Sequence, residues 1–247
     1  MAEISIVIPV KDEAGNAAPL AREIAEAMGG LGQDPGNKQP SYEIIFVDDG
    51  SSDGTSAELV SLRSDLPMIR ILVHARSFGQ SRALRSGVLA ASGEIIISLD
   101  GDGQNIPADI PKLLEAFANA PARLGMVAGE RAKRKDSWSK RAASRLANGL
   151  RRWVLDDKAK DVGCGLKLFR RAAFLELPYF DHMHRYLIAL MQREGYEVRF
   201  VPVGHRPRQA GRSKYGNWDR FVVGISDLLG VIWLKRRFRG PTETKEI

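Results

Sequence analysis

The chain has 247 residues, long enough to bury a full core, and its 44% hydrophobic and 27% charged residues are typical of a globular protein. The one cysteine, Cys164, excludes a disulfide-stabilised scaffold and fits a reducing compartment such as the cytoplasm. The N-terminus, Met1 to Ile4, lacks the basic region and long apolar run of a secretory signal, so no signal peptide is predicted.

The net charge of +7 is unevenly distributed along the chain. Residues 131–152 hold nine Lys or Arg and one acid, Asp136, and so carry +8, while further basic groups occupy 206–220 and 235–239. Such clusters predict a polyanionic partner, either phosphate groups or an anionic membrane surface, although a solvated helix face would have the same composition. Nucleic acid is not predicted as a partner, because aromatic residues for base stacking do not accompany the basic ones.

Strand-like and helix-like segments alternate through the first half of the chain. Strands are predicted at 4–10, 43–47, 69–73 and 95–99, and helices at 17–28, 56–63, 81–91 and from Pro107 onward. This β-α alternation predicts an α/β fold, in which helices cover both faces of a mostly parallel sheet.

Two carboxylates, Asp100 and Asp102, bracket a glycine directly after the predicted strand 95–99. In α/β sheets, ligands bind at the carboxyl ends of the strands. Two carboxylates at such a position suit Mg²⁺ or Mn²⁺, which completes its coordination with water and phosphate oxygens. A solvated turn is the alternative, because Asp and Gly are common turn residues.

The other strands also end in polar residues. Asp48 and Asp49 follow the second strand, where a carboxylate can accept hydrogen bonds from a base or a ribose. The third strand leads to Arg76 and Arg82 near a helix start, which suits phosphate. Residues 9–16 contain neither a Gly-x-Gly-x-x-Gly motif nor a Walker lysine, which argues against a dinucleotide oxidoreductase and a P-loop NTPase.

Taken together, PVKDE (9–13), VDDGSSDGT (47–55) and FGQSRALRSGVLAASGEIIISLDGDGQNIP (78–107) resemble the family 2 glycosyltransferases, which have a GT-A-type fold. DVGCGLKLFRR (161–171), HRPR (205–208) and GRSKYG (211–216) resemble the branch of dolichyl- or polyprenyl-phosphate hexose synthases. The resemblance covers about residues 4–220. It implies one domain over 1–220, with a nucleotide-sugar half (1–130) and an acceptor half (131–220).

The resemblance also implies roles for individual residues. Pro9, Glu13 and Asp48 would line the base and ribose of a UDP- or GDP-linked sugar, and Arg131 would face the acceptor phosphate. Arg212 and Lys214 would close over the diphosphate. The predicted metal ligands are Asp100, Asp102 and Gln104. The predicted catalytic residues are Asp102, Arg131, Arg212 and Lys214. The predicted substrate-binding residues are Pro9, Lys11, Glu13, Asp48, Asp49, Ser51, Arg82, Asp100, Gln104 and Arg206.

The predicted reaction is an inverting, metal-dependent transfer of a hexose or hexuronic acid to a polyprenyl phosphate. A lipid phosphate is already ionised near neutral pH, with a second pKa of about 6, and needs cations rather than a base. Relatives that glycosylate hydroxyls generally use an acid late in the fold, and residues 180–186 lack the expected Glu-Asp pair. Transfer to a sugar hydroxyl with Asp181 as the base stays open as an alternative.

Two other classes of protein agree less well with the sequence. A nucleotidyltransferase would normally carry a glycine-rich loop with a basic residue after the first strand, which residues 9–16 do not supply. A non-catalytic, sugar-nucleotide-binding membrane scaffold would tolerate loss of the acidic pair, yet Asp100 and Asp102 are both present.

An apolar segment at 221–234 precedes the basic cluster at 235–239, and the tail 240–247 follows. As a helix the segment would be about 21 Å long, too short to span a bilayer, so 221–239 is predicted to be an amphipathic helix on an anionic membrane surface. Core packing or a subunit contact is the alternative. Many bacterial members of the branch carry two C-terminal transmembrane helices, and this chain has no room for them before Ile247. We therefore expect a peripheral protein on the cytoplasmic face, held by this helix or by a partner membrane protein.

Overall fold

The computed structural model describes residues 2–31, 39–131, 155, 159, 161–207 and 217–240, without the side chains of 217–223. The described strands are β1 (Ile4–Val10), β2 (Tyr42–Asp48), β3 (Ile69–Val73), β4 (Ile95–Ser98), β5 (Leu124–Arg131), β6 (Lys167–Arg170) and β7 (Glu197–Val203). The described helices are α1 (Ala17–Gly29), α2 (Thr55–Ser61), α3 (Gln80–Ala90), α4 (Ile110–Phe117), α5 (Arg171–Glu176), α6 (Leu187–Arg193) and α7 (Asn217–Arg237).

All seven of these strands form one sheet, in the order β3-β2-β1-β4-β6-β5-β7. Strands β3, β2, β1 and β4 are parallel neighbours, and β7 is parallel to β5. Strand β6 is antiparallel to both β4 and β5. The predicted α/β class and mostly parallel sheet are therefore confirmed, with one reversed strand in the interior.

The apolar side chains of the central strands divide between two cores because successive side chains of a strand point to opposite faces. On β1, Ile6 and Ile8 belong to the core that includes residues of α1 and α4, whereas Val7 belongs to the core that includes residues of α3, α5 and α6. Both faces of the sheet are covered, which explains why the central strands are nearly continuous apolar runs.

The topology brings one end of five neighbouring strands to the same edge of the sheet. Strands β1, β2, β4 and β5 end there, and Val10 pairs with Asp48 at this end of the β1–β2 ladder. Because β6 runs the other way, it begins at this edge, where its Lys167 pairs with Ser98 of β4 and Ala128 of β5. The residues that follow or precede these strand ends line the candidate site.

Some predictions fall on residues that the structure does not describe. Arg212 and Lys214 lie outside the described residues, as does most of the basic stretch 131–152, of which only Arg131 is described. The helix predicted from Pro107 begins as a 3₁₀ turn, Pro107–Asp109, and continues as α4. The proposed division into donor and acceptor halves stays a prediction.

Candidate active site

A cavity of about 850 Å³ opens at this edge of the sheet. Its walls come from the loops after β1 and β4, the first turns of α3, the end of β5, the segment leading into β6 and the 3₁₀ turn Met183–Arg185. Of the predicted site residues, the cavity lining includes Pro9, Lys11, Glu13, Asp49, Asp100, Asp102, Gln104 and Arg131.

The loop of residues 100–105 after β4, here called the acidic loop, is held in shape by its own hydrogen bonds. The amide of Asp100 donates to Asn105 Oδ1 at 3.0 Å, and the amide of Gln104 donates to Asp102 Oδ1 at 3.1 Å. Between the two acids, a Cβ on Gly101 would lie 2.6 Å from Val10 Cγ1 and 2.9 Å from the carbonyl oxygen of Pro9. Gly101 is therefore required by the close approach of β1. The turn that it permits places Asp100 and Asp102 on either side of it.

Asp100 lies in an unfavourable environment for a negative charge. Burial raises the pKa of its carboxyl group, and the neighbouring charge of Asp102 raises it further, against the opposing effects of Lys167, Gln80 and Arg131. Gln80 Nε2 donates to Asp100 Oδ1 at 2.8 Å. On the other side, a Cβ on Gly165 would lie only 2.3 Å from Asp100 Oδ2. The carboxylate is thus fixed between a donor and a glycine that must remain a glycine.

This pair of carboxylates fits a divalent cation. A cation would relieve the repulsion that raises the pKa of Asp100, and hard cations such as Mg²⁺ and Mn²⁺ prefer carboxylate oxygens. Within the described part of the chain, no cluster of three or more His, Cys, Asp or Glu forms a complete metal site. Water and the oxygens of a bound diphosphate would therefore complete the coordination shell, as is usual for Mg²⁺.

Arg131 lines the cavity but is engaged by an acid. Its Nε and Nη2 donate to the two carboxylate oxygens of Asp161 at 2.5 and 2.6 Å, and these bonds raise the pKa of the guanidinium. This bidentate pair holds the end of β5 against the segment that precedes β6. The predicted contact of Arg131 with an acceptor phosphate stays a prediction, and it would compete with Asp161.

On the β1 side of the cavity, the predicted nucleotide residues have different roles in the structure. Lys11 donates to the carbonyl oxygen of Gly50 at 2.9 Å, and the Glu13 carboxylate accepts from Asn16 Nδ2 at 2.7 Å. Asp49 accepts four hydrogen bonds and holds the segment 74–79 in place. Burial opposes the charge of Asp49, but bonds from Phe78, Ser77, His74 and Gly79 outweigh it and lower the pKa of Asp49.

Asp48, Ser51, Arg82 and Arg206 lie outside the cavity lining. Asp48 is buried and accepts from the Ser51 amide at 2.8 Å and from the Ser56 hydroxyl, while Ser51 Oγ accepts from the Asp12 amide. Arg82 lies 5.3 Å from the ring centroid of Tyr179.

Arg206 donates to the carbonyl oxygen of Gly103 at 2.5 Å and to Glu23 Oε2 at 2.9 Å, which braces the acidic loop from behind. In the described structure these four residues contact other parts of the protein outside the cavity lining, and their predicted substrate contacts stay predictions.

Several cavity residues were not singled out as site residues from the sequence. Lys167 is buried and donates to the carbonyl oxygen of Cys164, and burial lowers the pKa of its ammonium group. His184, whose Nδ1 lies 2.7 Å from Ser81 Oγ, has its pKa lowered to about 3 by burial and the nearby charge of Arg185. Lys167 had a local signal, because a lysine opening an apolar strand is unusual. His184 and Arg185 had none.

The comparisons with known proteins agree with this fold. The family model described as "Glycosyl transferase family 2" matches residues 5–177. The chain belongs to this family.

Two curated relatives are also similar to it. The undecaprenyl-phosphate 4-deoxy-4-formamido-L-arabinose transferase of Edwardsiella ictaluri is 34% identical over 215 residues, which cover 86% of this chain and 63% of that protein. The dodecaprenyl-phosphate galacturonate synthase of Rhizobium johnstonii is 33% identical over 241 residues, which cover 95% of this chain and 68% of that protein. The chain thus spans about two thirds of the length of these relatives.

Solved structures of glycosyltransferases share the fold. The glucosyl-3-phosphoglycerate synthase of Mycobacterium tuberculosis, in complex with Mn²⁺, UDP and phosphoglyceric acid, superimposes with a TM-score of 0.69 at 18% identity, over 98% of this chain and 80% of that one. The mannosyltransferase PcManGT of Pyrobaculum calidifontis gives 0.64 at 17% identity, over 98% and 66%. The predicted GT-A-type fold is confirmed.

Proposed function

We propose that this protein transfers a hexose or a hexuronic acid from a nucleoside diphosphate sugar to a polyprenyl phosphate, with inversion at the anomeric carbon. The observation that carries the proposal is the pair Asp100 and Asp102 in a cavity that also contains Lys167, Arg131 and Arg185. The names of the curated relatives support it, because both describe transfer to a polyprenyl phosphate.

In the proposed reaction, an oxygen of the acceptor phosphate attacks the anomeric carbon of the sugar. A carbon–oxygen bond forms on one face while the bond to the donor diphosphate breaks on the other, and the nucleoside diphosphate leaves with the bonding electrons. A divalent cation at Asp100 and Asp102 would stabilise the charge that develops on the departing diphosphate. Mn²⁺ is present in the structures of the Mycobacterium tuberculosis and Pyrobaculum calidifontis neighbours, and either Mn²⁺ or Mg²⁺ suits these oxygen ligands.

The position of Asp181 favours a phosphate acceptor over a sugar hydroxyl. A hydroxyl needs a base within hydrogen-bond reach, whereas an ionised phosphate does not. The Asp181 side chain is 61% exposed, accepts from the His182 amide at 2.8 Å and is absent from the cavity lining. Among the described carboxylates that do line the cavity, Asp49 is saturated by donors, Asp161 is paired with Arg131, and Glu13 accepts from Asn16. The other two, Asp100 and Asp102, are the proposed cation ligands.

The substrate is membrane-bound in this proposal, and α7 is the element suited to reach it. Ile225, Leu229 and Trp233 are exposed at intervals of four residues and therefore share one helix face, while Val231 packs into the core. Three basic residues occupy the last turn. The described helices include none that is long and apolar enough to cross a bilayer. We propose that this face rests on the anionic cytoplasmic surface of the membrane.

A donor screen tests the proposed activity. UDP-glucose, UDP-galacturonate and GDP-mannose would each be incubated with undecaprenyl phosphate and Mg²⁺ or Mn²⁺, and the release of nucleoside diphosphate measured. The expected result is release from one donor that depends on both the lipid phosphate and the cation. Asp102→Asn should abolish it, because the loss of one of the two carboxylates removes a cation ligand. Asp65→Asn, at an exposed carboxylate paired only loosely with Arg22, is the matched control.

Two results would contradict the proposal. Release that is unchanged when undecaprenyl phosphate is omitted would indicate hydrolysis or another acceptor. Full activity of Asp102→Asn would show that this carboxylate is not needed to bind a cation at the donor diphosphate.

A further inference from the structure

Among the described residues, four cationic side chains line the cavity, and three of them have protein partners. Lys11 donates to the carbonyl oxygen of Gly50. The Arg131 guanidinium is occupied on two nitrogens by Asp161, and Lys167 is buried against the carbonyl oxygen of Cys164. Arg185 is the fourth, and within the described part of the chain no hydrogen bond or ion pair engages its guanidinium.

The local backbone explains how Arg185 comes to face the cavity. It ends the 3₁₀ turn Met183–Arg185, which follows His182 in a left-handed conformation with φ of 63°. The turn is fastened to the start of α3, because Ser81 Oγ accepts from the His184 amide at 3.1 Å and contacts His184 Nδ1 at 2.7 Å. Ser81 is fully buried, and the preceding residue, Gln80, donates to Asp100. The start of α3 is therefore hydrogen-bonded both to the 3₁₀ turn and to Asp100.

A cation placed in a cavity without a protein partner is suited to an anionic ligand. Arginine binds phosphate through two parallel hydrogen bonds, and a guanidinium loses less hydration than an ammonium when it does so. The diphosphate of the donor already has a partner in the cation that Asp100 and Asp102 would hold. The acceptor phosphate carries the remaining uncompensated charge in the reaction.

We infer that the Arg185 guanidinium binds the phosphate group of the acceptor and positions its attacking oxygen, an inference that rests on the proposed function. Arg131 keeps its bidentate pair with Asp161, which fixes the cavity wall, and its own contact with the acceptor phosphate stays a prediction. The acceptor phosphate would lie between the turn Met183–Arg185 and the acidic loop, facing the anomeric carbon.

The experiment separates acceptor binding from donor binding. Arg185→Gln, Arg185→Lys and the control Arg123→Gln would be assayed with undecaprenyl phosphate and the donor accepted in the screen, and KM measured for each substrate. Arg123 is an exposed residue that pairs with Glu197. It directly precedes β5 and so lies at the opposite end of this strand from Arg131. For Arg185→Gln we expect the acceptor KM to rise about tenfold or more, the equivalent of one lost charge-assisted hydrogen-bonded contact.

The donor KM should remain within about twofold of the control value, because the donor keeps all its contacts. Arg185→Lys should recover part of the loss, since it retains the charge without the planar fork. A rise in acceptor KM no larger than that of Arg123→Gln would overturn the inference. So would a rise confined to the donor KM, which would assign Arg185 to the diphosphate or to a hexuronate carboxylate.

The outcomes for Arg185 and for the proposed function can be told apart. Wild-type protein that transfers to undecaprenyl phosphate supports the function whatever the Arg185 variants do. Wild-type protein that transfers to no lipid phosphate contradicts the function and the inference together. If Arg185→Gln fails to fold, as judged by its thermal unfolding, the Arg185→Lys variant decides, and an unchanged acceptor KM there overturns the inference.

Discussion

Asp49 illustrates how one buried side chain organises the cavity wall. Its Oδ1 accepts from His74 Nδ1 at 2.7 Å and from the Phe78 amide at 2.8 Å, and its Oδ2 accepts from Ser77 Oγ at 2.7 Å and the Gly79 amide at 2.8 Å. Four donors on one carboxylate fix the chain just before α3, and α3 in turn supplies Gln80 and Ser81. A residue expected to contact the nucleotide therefore also helps to position Gln80, which donates to Asp100, and Ser81, which contacts the 183–185 turn.

Replacing Asp49 by Asn should destabilise the protein, because an amide cannot accept all four hydrogen bonds and would direct its own donor at one of them. We expect the free energy of unfolding to fall by about 1–3 kcal/mol, the range for a buried polar group left unsatisfied. Urea denaturation would measure it, with Asp65→Asn as the exposed control. An unchanged midpoint in Asp49→Asn would show that the segment 74–79 holds its shape without this carboxylate.

Gly165 provides a test of the packing around Asp100. A methyl group there would lie 2.3 Å from Asp100 Oδ2, so Gly165→Ala must displace the carboxylate. We expect transferase activity to fall by about tenfold or more, since displacements of about 1 Å at a catalytic group can cost about a hundredfold. Gly30→Ala is the control, because φ there is −72° and the new methyl group would make only ordinary contacts. Equal activity of the two variants would contradict this packing.

Among the secondary-structure elements, β6 and α7 have the largest consequences for the site. Strand β6 is antiparallel to its neighbours, so its first residue, Lys167, and the preceding segment lie at the edge where β4 and β5 end. A parallel strand in this place would have put Lys167 at the far edge. Helix α7 packs Val231 into the core that includes residues of α3, α5 and α6, and it leaves Leu229 and Trp233 exposed. One face of this helix thus packs against the domain, while the other face is exposed and could contact a membrane surface.

The exposed face of α7 predicts a specific effect on membrane binding. Replacing both Leu229 and Trp233 by Glu should reduce binding to phosphatidylglycerol vesicles by about tenfold or more, because it removes apolar burial and adds repulsion from anionic lipid. Sedimentation with vesicles would measure the bound fraction. Val60→Glu is the control, because Val60 is an equally exposed apolar residue on α2. Equal binding of the two variants would contradict the proposed membrane surface.

Over the whole molecule, the edge of the sheet opposite the cavity contains a stabilising ionic cluster. Glu43 of β2 accepts from Ser5 Oγ of β1 at 2.6 Å, from the Ser92 amide at 2.7 Å and from Arg70 of β3. Burial opposes its charge, but the bonds from Ser5, Ser92 and Arg70 prevail and lower the pKa of Glu43 to about 2. One carboxylate therefore joins three strands and the loop before β4, far from the chemistry.

This cluster predicts how stability changes with pH. Because the pKa of Glu43 is lower in the folded state than in the unfolded state, its contribution is fully present above about pH 4.5 and is lost as the pH falls towards 2. The contribution is about 3 kcal/mol at most. Urea denaturation between pH 6 and pH 2.5 would measure it. Glu43→Gln should be less stable at pH 6 and show a weaker decline, and an identical slope in both proteins would contradict the assignment.

Local sequence patterns were sufficient to predict strands β1 to β4 and helices α1 to α4, but not β5, β6 or the 3₁₀ turn Met183–Arg185, which also border the cavity. The apolar runs of β1, β2 and β4 are buried on both faces, and such runs are recognisable wherever they occur in a chain. Asp100 and Asp102 were also identifiable, because their position after a buried strand places them at the ligand-binding edge of an α/β sheet. The family resemblance added the GT-A-type fold, which residue patterns alone do not distinguish from other α/β folds.

The polar contacts of the candidate site depend on residues that are far apart in the sequence. The role of Arg131 was predicted from the family resemblance, but its partner Asp161 lies 30 residues away, and a motif or a charge pattern does not specify an ion pair. Arg185 and Ser81 are about a hundred residues apart, and the packing of the 183–185 turn against α3 brings this cation into the cavity. Hydrophobic periodicity specifies which face of an element is buried. The partners of each polar side chain depend on how the elements pack, because a hydrogen bond requires atoms within about 3 Å whatever their separation in sequence.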